Sequence, residues 1–182
     1  RIVDDLATRG WSQQDVFRSD ERTRELAAGC RRRAAAGDLE PAGVGRGLAQ
    51  EVREGIRGGH IQWLEPGQSG VCDQYLQVMD SLRTALNRDL FMGLEDFESH
   101  FAFYPPGAFY KRHLDRFRDD DRRMVSAVLY LNPDWLSEEG GQLRMYLEND
   151  APYDVQPMSG CLAVFLSGEV PHEVLPATRD RL

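Results

Sequence analysis

Two side chains that commonly bind metal ions, His113 and Asp115, lie two positions apart in the stretch FAFYPPGAFYKRHLDRF. On an extended strand such residues point to the same side, so one metal ion could contact both. A second histidine far downstream, His172 in VPHEVLP, is the candidate third ligand. Two imidazoles and one carboxylate on one side of an ion leave its other coordination positions open to small molecules. His60 lies beside a glycine-rich stretch and His100 at the start of a predicted strand, and we interpret both as structural or surface residues.

The candidate ligands belong to a part of the chain whose pattern predicts short β-strands. From residue 97 onward, apolar or alternating runs are separated by turn-forming pairs such as Asn132-Pro133 and Gly140-Gly141. The predicted strands are 100–104, 109–115, 124–132, 142–147, 153–156, 161–166 and 170–175. Many short strands with this spacing predict a double-stranded β-helix, also called a jelly roll.

The first half of the chain predicts helices and one long loop. Residues 20–36 are rich in helix-forming side chains and end before Gly37, and residues 71–86 carry an apolar stripe with helical spacing. The glycine-rich stretch 39–59 predicts a loop of the length that often serves as a functional lid. We therefore expect a mainly β fold with N-terminal helices that pack on one sheet.

We expect residues 1–182 to form a single domain, because a chain of this length can bury a sizeable core. Residues 1–96 would supply the helical support and the lid loop, and residues 97–182 the jelly-roll core. The sequence stops where that core would continue, so the last strand of the jelly roll is expected to be missing.

The charge and the cysteines narrow the class of protein. A net charge of −8 and a pI near 5.0 argue against a non-specific nucleic-acid binder, which usually carries a basic stripe. No apolar run approaches the length that spans a bilayer. Cys30, Cys72 and Cys161 form no paired motif and are expected to be free thiols in a reducing cytoplasm. We expect a cytoplasmic monomer that binds neither nucleic acid nor a membrane.

Four stretches of sequence are more specific than the spacing of the candidate ligands. YPPGAFYKRHLD, VLYLNPDW, GGQLRMY and VPHEVLPATRDR resemble the prolyl 4-hydroxylases of the HIF-sensing type, in particular the prokaryotic members of that family. The family belongs to the 2-oxoglutarate- and Fe(II)-dependent oxygenases. The resemblance is strongest from residue 101 to the end and is also visible in IRGGHIQWLE.

The resemblance implies roles for the candidate ligands and for an arginine that follows them. His113, Asp115 and His172 would bind Fe(II), and 2-oxoglutarate would bind the same ion through two oxygens, with O₂ in the last position. Arg181 would pair with the far carboxylate of 2-oxoglutarate, because a guanidinium contacts both oxygens and keeps its charge. Arg179, on the same face of a regular strand, is the alternative.

The resemblance also implies a set of residues that line the cosubstrate pocket. Tyr130 in VLYLN would reach the same carboxylate, although an aromatic residue in a strand can equally belong to the core. Leu143 would form an apolar wall, and Tyr104 and Tyr110 would lie near the iron and the cosubstrate. Because Tyr110 and His113 are an odd number of positions apart, a regular strand would place them on opposite faces, which makes Tyr104 the stronger candidate.

These features predict a 2-oxoglutarate- and O₂-dependent protein prolyl 4-hydroxylase that releases succinate and CO₂, with ascorbate as a further cofactor and oxygen sensing as a possible role. Its partner would be a protein with a target proline, and the resemblance to bacterial members points to elongation factor Tu. Two alternatives remain open. An AlkB-type nucleic-acid demethylase on the same scaffold is disfavoured by the acidic charge. A non-catalytic cupin-like metal-binding domain would not need the arginine after His172.

Overall fold

The computed structural model of the chain describes residues 1–42, 56–115 and 122–182. Its α-helices are α1 (Ile2–Arg9), α2 (Asp20–Ala35) and α3 (Gly70–Leu90). Its strands are β1 (Trp11–Gln14), β2 (Glu40–Pro41), β3 (Ile56–Arg57), β4 (His60–Trp63), β5 (His100–Phe103), β6 (Phe109–His113), β7 (Val125–Leu129), β8 (Leu143–Tyr146), β9 (Pro152–Val155), β10 (Leu162–Leu166) and β11 (His172–Val174). Each strand predicted in the second half of the chain is present, and most are shorter than predicted.

The centre of the fold is a pair of antiparallel sheets with an apolar core between them. One sheet has the strand order β3-β6-β11-β8-β9 and the other has the order β1-β10-β7. The buried residues of this core are Trp11, Tyr130, Leu143, Met145, Val155, Cys161, Ala163, Phe165, Val170 and Val174. This arrangement is the double-stranded β-helix that the pattern of short strands predicts.

The strand β10 is apolar at every position because both of its faces are covered. Ala163 and Phe165 point into the core between the two sheets. Leu162 and Val164 alternate with them and pack on the other face against α1 and α3. A continuous apolar run is typical of a strand that is buried on both sides. The expected packing of N-terminal helices on one sheet is therefore confirmed.

A third sheet packs against α2. Its strand order is β2-β4-β5, and Phe101 of β5 packs in one apolar cluster with Leu26 and Cys30 of α2. The helix α2 begins after Ser19, whose hydroxyl accepts a hydrogen bond from a backbone N–H of the first turn, as helix-capping serines commonly do. The helix predicted at residues 20–36 is confirmed.

Three other expectations concern the loop, membranes and the thiols. The predicted lid at residues 39–59 contains residues 43–55, which lie outside the described ranges, so the lid stays a prediction. Within those ranges, none of the helices has the length and apolar character that crossing a bilayer requires. Cys30, Cys72 and Cys161 are free, as predicted, and all three are buried.

Candidate active site

The side chains of His113, Asp115 and His172 converge on one point. The Nε2 atom of His113 lies 3.1 Å from Oδ1 of Asp115, and Nε2 of His172 lies 3.3 Å from the same oxygen. The three candidate ligand atoms all lie within 4.8 Å of one another, so they could hold one metal ion. His172 is buried, whereas His113 and Asp115 are half-buried, which leaves one side of the site accessible.

Backbone carbonyl groups turn both imidazole rings so that Nε2 faces this point. Nδ1 of His113 lies 2.7 Å from the carbonyl oxygen of Lys111, and Nδ1 of His172 lies 3.1 Å from that of Val170. A carbonyl oxygen can only accept a hydrogen bond, so each Nδ1 carries a proton and donates it. In the neutral ring, Nε2 then keeps the free lone pair that a metal ligand needs.

The electrostatics of the site favour a positive charge between these side chains. Burial acts to raise the pKa of Asp115, but hydrogen bonds with His113, His172 and Ser126 outweigh it and hold that pKa well below its usual range. Burial acts to lower the pKa of His172, but the hydrogen bond and the charge of Asp115 reverse this effect and raise it. Asp115 is therefore ionised at neutral pH and attracts either a proton or a metal cation.

The strands β6 and β11 bring the two histidines together as direct cross-strand neighbours, His113 opposite His172. The next pair is Tyr110 with Val174, so β6 has one residue more than β11 between the two pairs, which is a β-bulge. The rings of Tyr110 and His113 consequently lie together, stacked with centroids 3.7 Å apart. The expectation that Tyr110 and His113 face opposite sides was wrong, because it assumed a regular strand.

Asp115 is held by a different sheet from the one that carries the histidines. β6 ends at His113, and Asp115 lies at a bend just after it rather than on the predicted strand 109–115. The hydroxyl of Ser126 in β7 donates to Oδ2 of Asp115 at 2.6 Å. Oγ of Ser126 also lies 2.8 Å from Oγ of Ser167, which is fully buried. Neither serine was predicted from the sequence as a site residue.

The guanidinium of Arg181 is buried between two tyrosines. Its Cζ atom lies 4.8 Å from the ring centroid of Tyr104 and 5.4 Å from that of Tyr130. The backbones of Arg181 and Tyr104 exchange two hydrogen bonds of 2.9 Å, which fix the position of the arginine. Nε of Arg181 and the Tyr130 hydroxyl are buried, and neither has a partner with hydrogen-bond geometry among the described residues, although the charge of the nearby guanidinium acts to lower the pKa of that hydroxyl. Because burying an unpaired polar group costs about 1–3 kcal/mol, this pair indicates a ligand site.

The neighbouring arginine, Arg179, points away from this position and is already paired. Its guanidinium lies 4.8 Å from the ring centroid of Trp135 and 3.4 Å from Oε2 of Glu139. It also donates to the backbone carbonyl of Pro133 at 3.3 Å. In the described ranges, the two arginines are therefore not equivalent, and the buried cation beside the tyrosines is Arg181.

The double glycine allows β8 to approach this arginine closely. Gly141 has a φ of +72°, and a Cβ atom there would lie 2.9 Å from the Trp135 ring and 3.1 Å from Cδ of Arg181. Glycine is therefore required for both its conformation and its size. Two residues further on, Leu143 is 1% exposed and shares the core between the sheets with Tyr130.

Asn132 is a further residue of this region that was not predicted from the sequence. It is fully buried, and its side-chain amide donates to the carbonyl oxygens of Pro157 at 2.8 Å and Leu182 at 2.9 Å. Its Oδ1 accepts from the backbone N–H of Leu182 at 2.7 Å. These bonds fix the backbone directly after Arg181. The sequence signal that could have found Asn132 is its place at the end of the apolar run VLYLN.

Comparison with known proteins agrees with this fold and this site. The family model described as 2OG-Fe(II) oxygenase superfamily matches residues 99–182. A solved structure of a Pseudomonas putida prolyl-4-hydroxylase is 64% identical, with a TM-score of 0.91, and the match covers 99% of this chain and 92% of that one. A second solved structure is a prolyl hydroxylase from Trichoplax adhaerens in complex with a hypoxia inducible factor oxygen degradation domain peptide fragment. It is 30% identical, with a TM-score of 0.83, and the match covers 99% of this chain and 83% of that one. The chain belongs to the 2OG-Fe(II) oxygenase superfamily, in the branch of the prolyl 4-hydroxylases.

Curated relatives support the same family. Egl nine homolog 1 of Mus musculus is 34% identical over 136 residues, which cover 69% of this chain and 33% of the relative. The Homo sapiens protein of the same name is 35% identical over 135 residues, which cover 69% and 31%. The chain therefore spans about a third of the length of these relatives.

Proposed function

We propose that this chain is an Fe(II)- and 2-oxoglutarate-dependent prolyl 4-hydroxylase that converts a prolyl residue of a protein substrate to 4-hydroxyproline. The proposal rests on two features that occur together. His113, Asp115 and His172 could hold a metal ion, and Arg181 lies buried against Tyr130 of the core between the sheets without an acidic partner among the described residues. A cupin-like metal-binding domain would need the ligands but would have no use for such a cation.

We propose His113, Asp115 and His172 as the iron ligands. Two neutral imidazoles and one carboxylate are the donor set of the facial triad that binds non-haem Fe(II). The carbonyl groups that hold both Nδ1 atoms are the kind of outer contact that metal-bound histidines commonly make. Three protein ligands leave room for a cosubstrate that binds through two oxygens and for O₂.

We propose Arg181 and Tyr130 as the partners of the far carboxylate of 2-oxoglutarate. A carboxylate accepts hydrogen bonds from a guanidinium and a hydroxyl, and both of these groups have an unpartnered, buried polar atom here. Burial raises the pKa of the Tyr130 hydroxyl, so this group keeps its proton and can donate it. Leu143 and Tyr104 would enclose the aliphatic part of the cosubstrate, and Tyr110 would cover the ring of His113.

The protein's own residues bind and orient the reactants. Bound iron and 2-oxoglutarate supply the oxidising chemistry, with succinate and CO₂ as coproducts. Arg181 would hold one end of the cosubstrate, and His113, Asp115 and His172 would hold the iron that its keto-acid end binds. The apolar walls would exclude water, which would strengthen an ion pair between Arg181 and the carboxylate.

We propose a protein as the hydroxylated partner, with elongation factor Tu as the first candidate to test. The relative from Trichoplax adhaerens that was solved with a peptide supports a polypeptide substrate. We also propose that the enzyme works in the cytoplasm, because its buried cysteines are free thiols. Ascorbate would serve as a reductant for the iron.

The release of succinate from 2-oxoglutarate tests the proposed function. The purified protein is incubated with Fe(II), ascorbate, O₂ and 2-oxoglutarate, together with either elongation factor Tu or methylated single-stranded DNA. We expect the protein substrate to stimulate succinate release and the DNA to leave it at the background rate. Stimulation by the DNA alone would replace the proposal with a demethylase.

A further inference from the structure

Two serines, Ser126 in β7 and Ser167 in the turn directly after β10, lie behind the carboxylate of Asp115. Ser126 donates to Oδ2 of Asp115 at 2.6 Å, and Oγ of Ser167 lies 2.8 Å from Oγ of Ser126. Ser167 is fully buried, and its backbone N–H donates to the carbonyl of Met124 at 3.0 Å. Ser126 therefore lies in the sheet opposite the one that carries the histidines, and Ser167 lies in the turn directly after β10 of that same sheet.

The direction of the hydrogen bonds in this pair follows from the number of available protons. An ionised carboxylate has no proton, so the hydrogen bond between Ser126 and Asp115 uses the only hydroxyl proton of Ser126. The bond between the serines then needs the proton of Ser167. The chain of donors runs from Ser167 to Ser126 to Asp115, and it fixes the rotation of the Ser126 hydroxyl.

The two oxygens of Asp115 therefore have different partners. Oδ1 lies 3.1 Å from Nε2 of His113 and 3.3 Å from Nε2 of His172, at the point where a metal would bind. Oδ2 is occupied by Ser126. A carboxylate can bind a metal ion through one oxygen or through both. The hydroxyl of Ser126 stabilises the orientation in which only Oδ1 faces the metal.

We infer that Ser126, supported by Ser167, is a positioning residue that restricts Asp115 to one metal-bound oxygen and so keeps the adjacent coordination position free. This inference rests on the proposed function, because the free position matters only to a centre that must also bind 2-oxoglutarate and O₂. Without the hydroxyl, Oδ2 becomes available to the metal and competes with the cosubstrate for that position.

Binding of Co(II), and of 2-oxoglutarate to the Co(II)-loaded protein, tests this inference without turnover. In Ser126→Ala we expect the Co(II) affinity to stay within about threefold of the original, because the second oxygen of Asp115 compensates for its lost orientation. We expect the affinity for 2-oxoglutarate to be about tenfold weaker in the same variant. The visible spectrum of bound Co(II), which reports the number and type of its ligands, should change before 2-oxoglutarate is added. Ser126→Thr retains the hydroxyl and should restore all three measurements. Ser167→Ala should shift 2-oxoglutarate affinity in the same direction by a smaller factor, and it serves as the test if Ser126→Ala does not fold.

Ser12 offers a matched control away from the site. It is fully buried, donates to Oδ2 of Asp5 at 2.6 Å and accepts from Gln14 at 2.9 Å, so its hydrogen bonds parallel those of Ser126. Ser12→Ala should lower thermal stability without changing the Co(II) spectrum or the affinity for 2-oxoglutarate.

Two results would overturn the inference. One is a Ser126→Ala protein with Co(II) affinity reduced about 10- to 100-fold and unchanged 2-oxoglutarate affinity, which would indicate ordinary support of a ligand. The other is a Ser126→Thr protein that behaves as Ser126→Ala does. If the unsubstituted protein itself binds neither Co(II) nor 2-oxoglutarate, the proposed function fails instead, so the two failures can be distinguished.

Discussion

Replacing Tyr130 with phenylalanine should stabilise the cosubstrate-free protein and weaken its binding of 2-oxoglutarate. Tyr130 is 1% exposed, and its hydroxyl has no partner with hydrogen-bond geometry among the described residues, since Arg181 acts on it mainly through its charge. Since an unpaired buried polar group costs about 1–3 kcal/mol, its removal should raise the free energy of unfolding by about 1 kcal/mol. For a chain of this size, that gain raises Tm by about 2–4 °C. The phenylalanine ring keeps the packing against Arg181.

The same substitution removes a hydrogen bond to a charged ligand. Such bonds contribute about 1.5–3 kcal/mol, and each 1.4 kcal/mol is a factor of ten, so the Kd of 2-oxoglutarate should rise about 10- to 100-fold. Calorimetric titration of the Mn(II)-loaded protein measures this Kd, and thermal unfolding without metal or cosubstrate measures the stability.

Tyr146→Phe is the control for the loss of a tyrosine hydroxyl. That hydroxyl donates to Glu173 at 2.8 Å, so its removal should leave the Kd of 2-oxoglutarate unchanged. A Tyr130→Phe protein that is less stable than the original and binds 2-oxoglutarate equally well would refute the reasoning. The hydroxyl of Tyr130 would then be bonded within the protein instead of being free for a ligand.

Three further predictions concern the arginine and its surroundings. Gly141→Ala should lower the free energy of unfolding, measured by chemical denaturation, by about 2–4 kcal/mol, because of backbone strain and the contact with Arg181. The control is Gly67→Ala, whose new Cβ would meet no atom within 4 Å, and it should lower the same free energy by only about 1–2 kcal/mol. Asn132→Ala should lower it by about 3 kcal/mol, because three buried hydrogen bonds are lost, and should raise the KM for 2-oxoglutarate more than it lowers kcat. Arg181→Ala should weaken 2-oxoglutarate binding about 100-fold. Arg179→Ala, which removes a half-exposed ion pair, should change the free energy of unfolding by less than about 1 kcal/mol and leave 2-oxoglutarate binding unchanged. A titration in which Arg179→Ala weakens 2-oxoglutarate binding more than Arg181→Ala does would move the assignment to Arg179.

The local patterns that the sequence displays were enough to predict the strands and the three side chains that converge at the candidate site. β10 is apolar throughout because the core and the helices cover its two faces, and the run LAVFL shows this directly. His113 and His172 were recognisable because their residue types are uncommon and the words around them are specific. Their relation as cross-strand neighbours depends on how β6 and β11 pair, which is a property of the fold rather than of either segment.

What the sequence did not predict follows from irregular geometry and from common residue types. The β-bulge that brings Tyr110 against His113 has no marker in FYKRH, so an argument from regular alternation gave the wrong face. Ser126 was overlooked because serine is ordinary in a strand. A signal was present, since Ser126 alternates with Val128 and Tyr130, which both join the core between the sheets. A lone hydroxyl on such a face requires a buried partner, and that partner is Asp115.

The proposed function requires that the site formed by His113, Asp115 and His172 supports oxygen insertion at a proline. Tandem mass spectrometry of elongation factor Tu and of whole-cell protein, incubated with the enzyme, Fe(II), ascorbate and 2-oxoglutarate, tests it most directly. We expect the mass gain of one oxygen atom on a prolyl residue, which is lost when 2-oxoglutarate is omitted or His172 is replaced by alanine. Proline that remains unmodified throughout, or an oxygen gain that persists in His172→Ala, would contradict it.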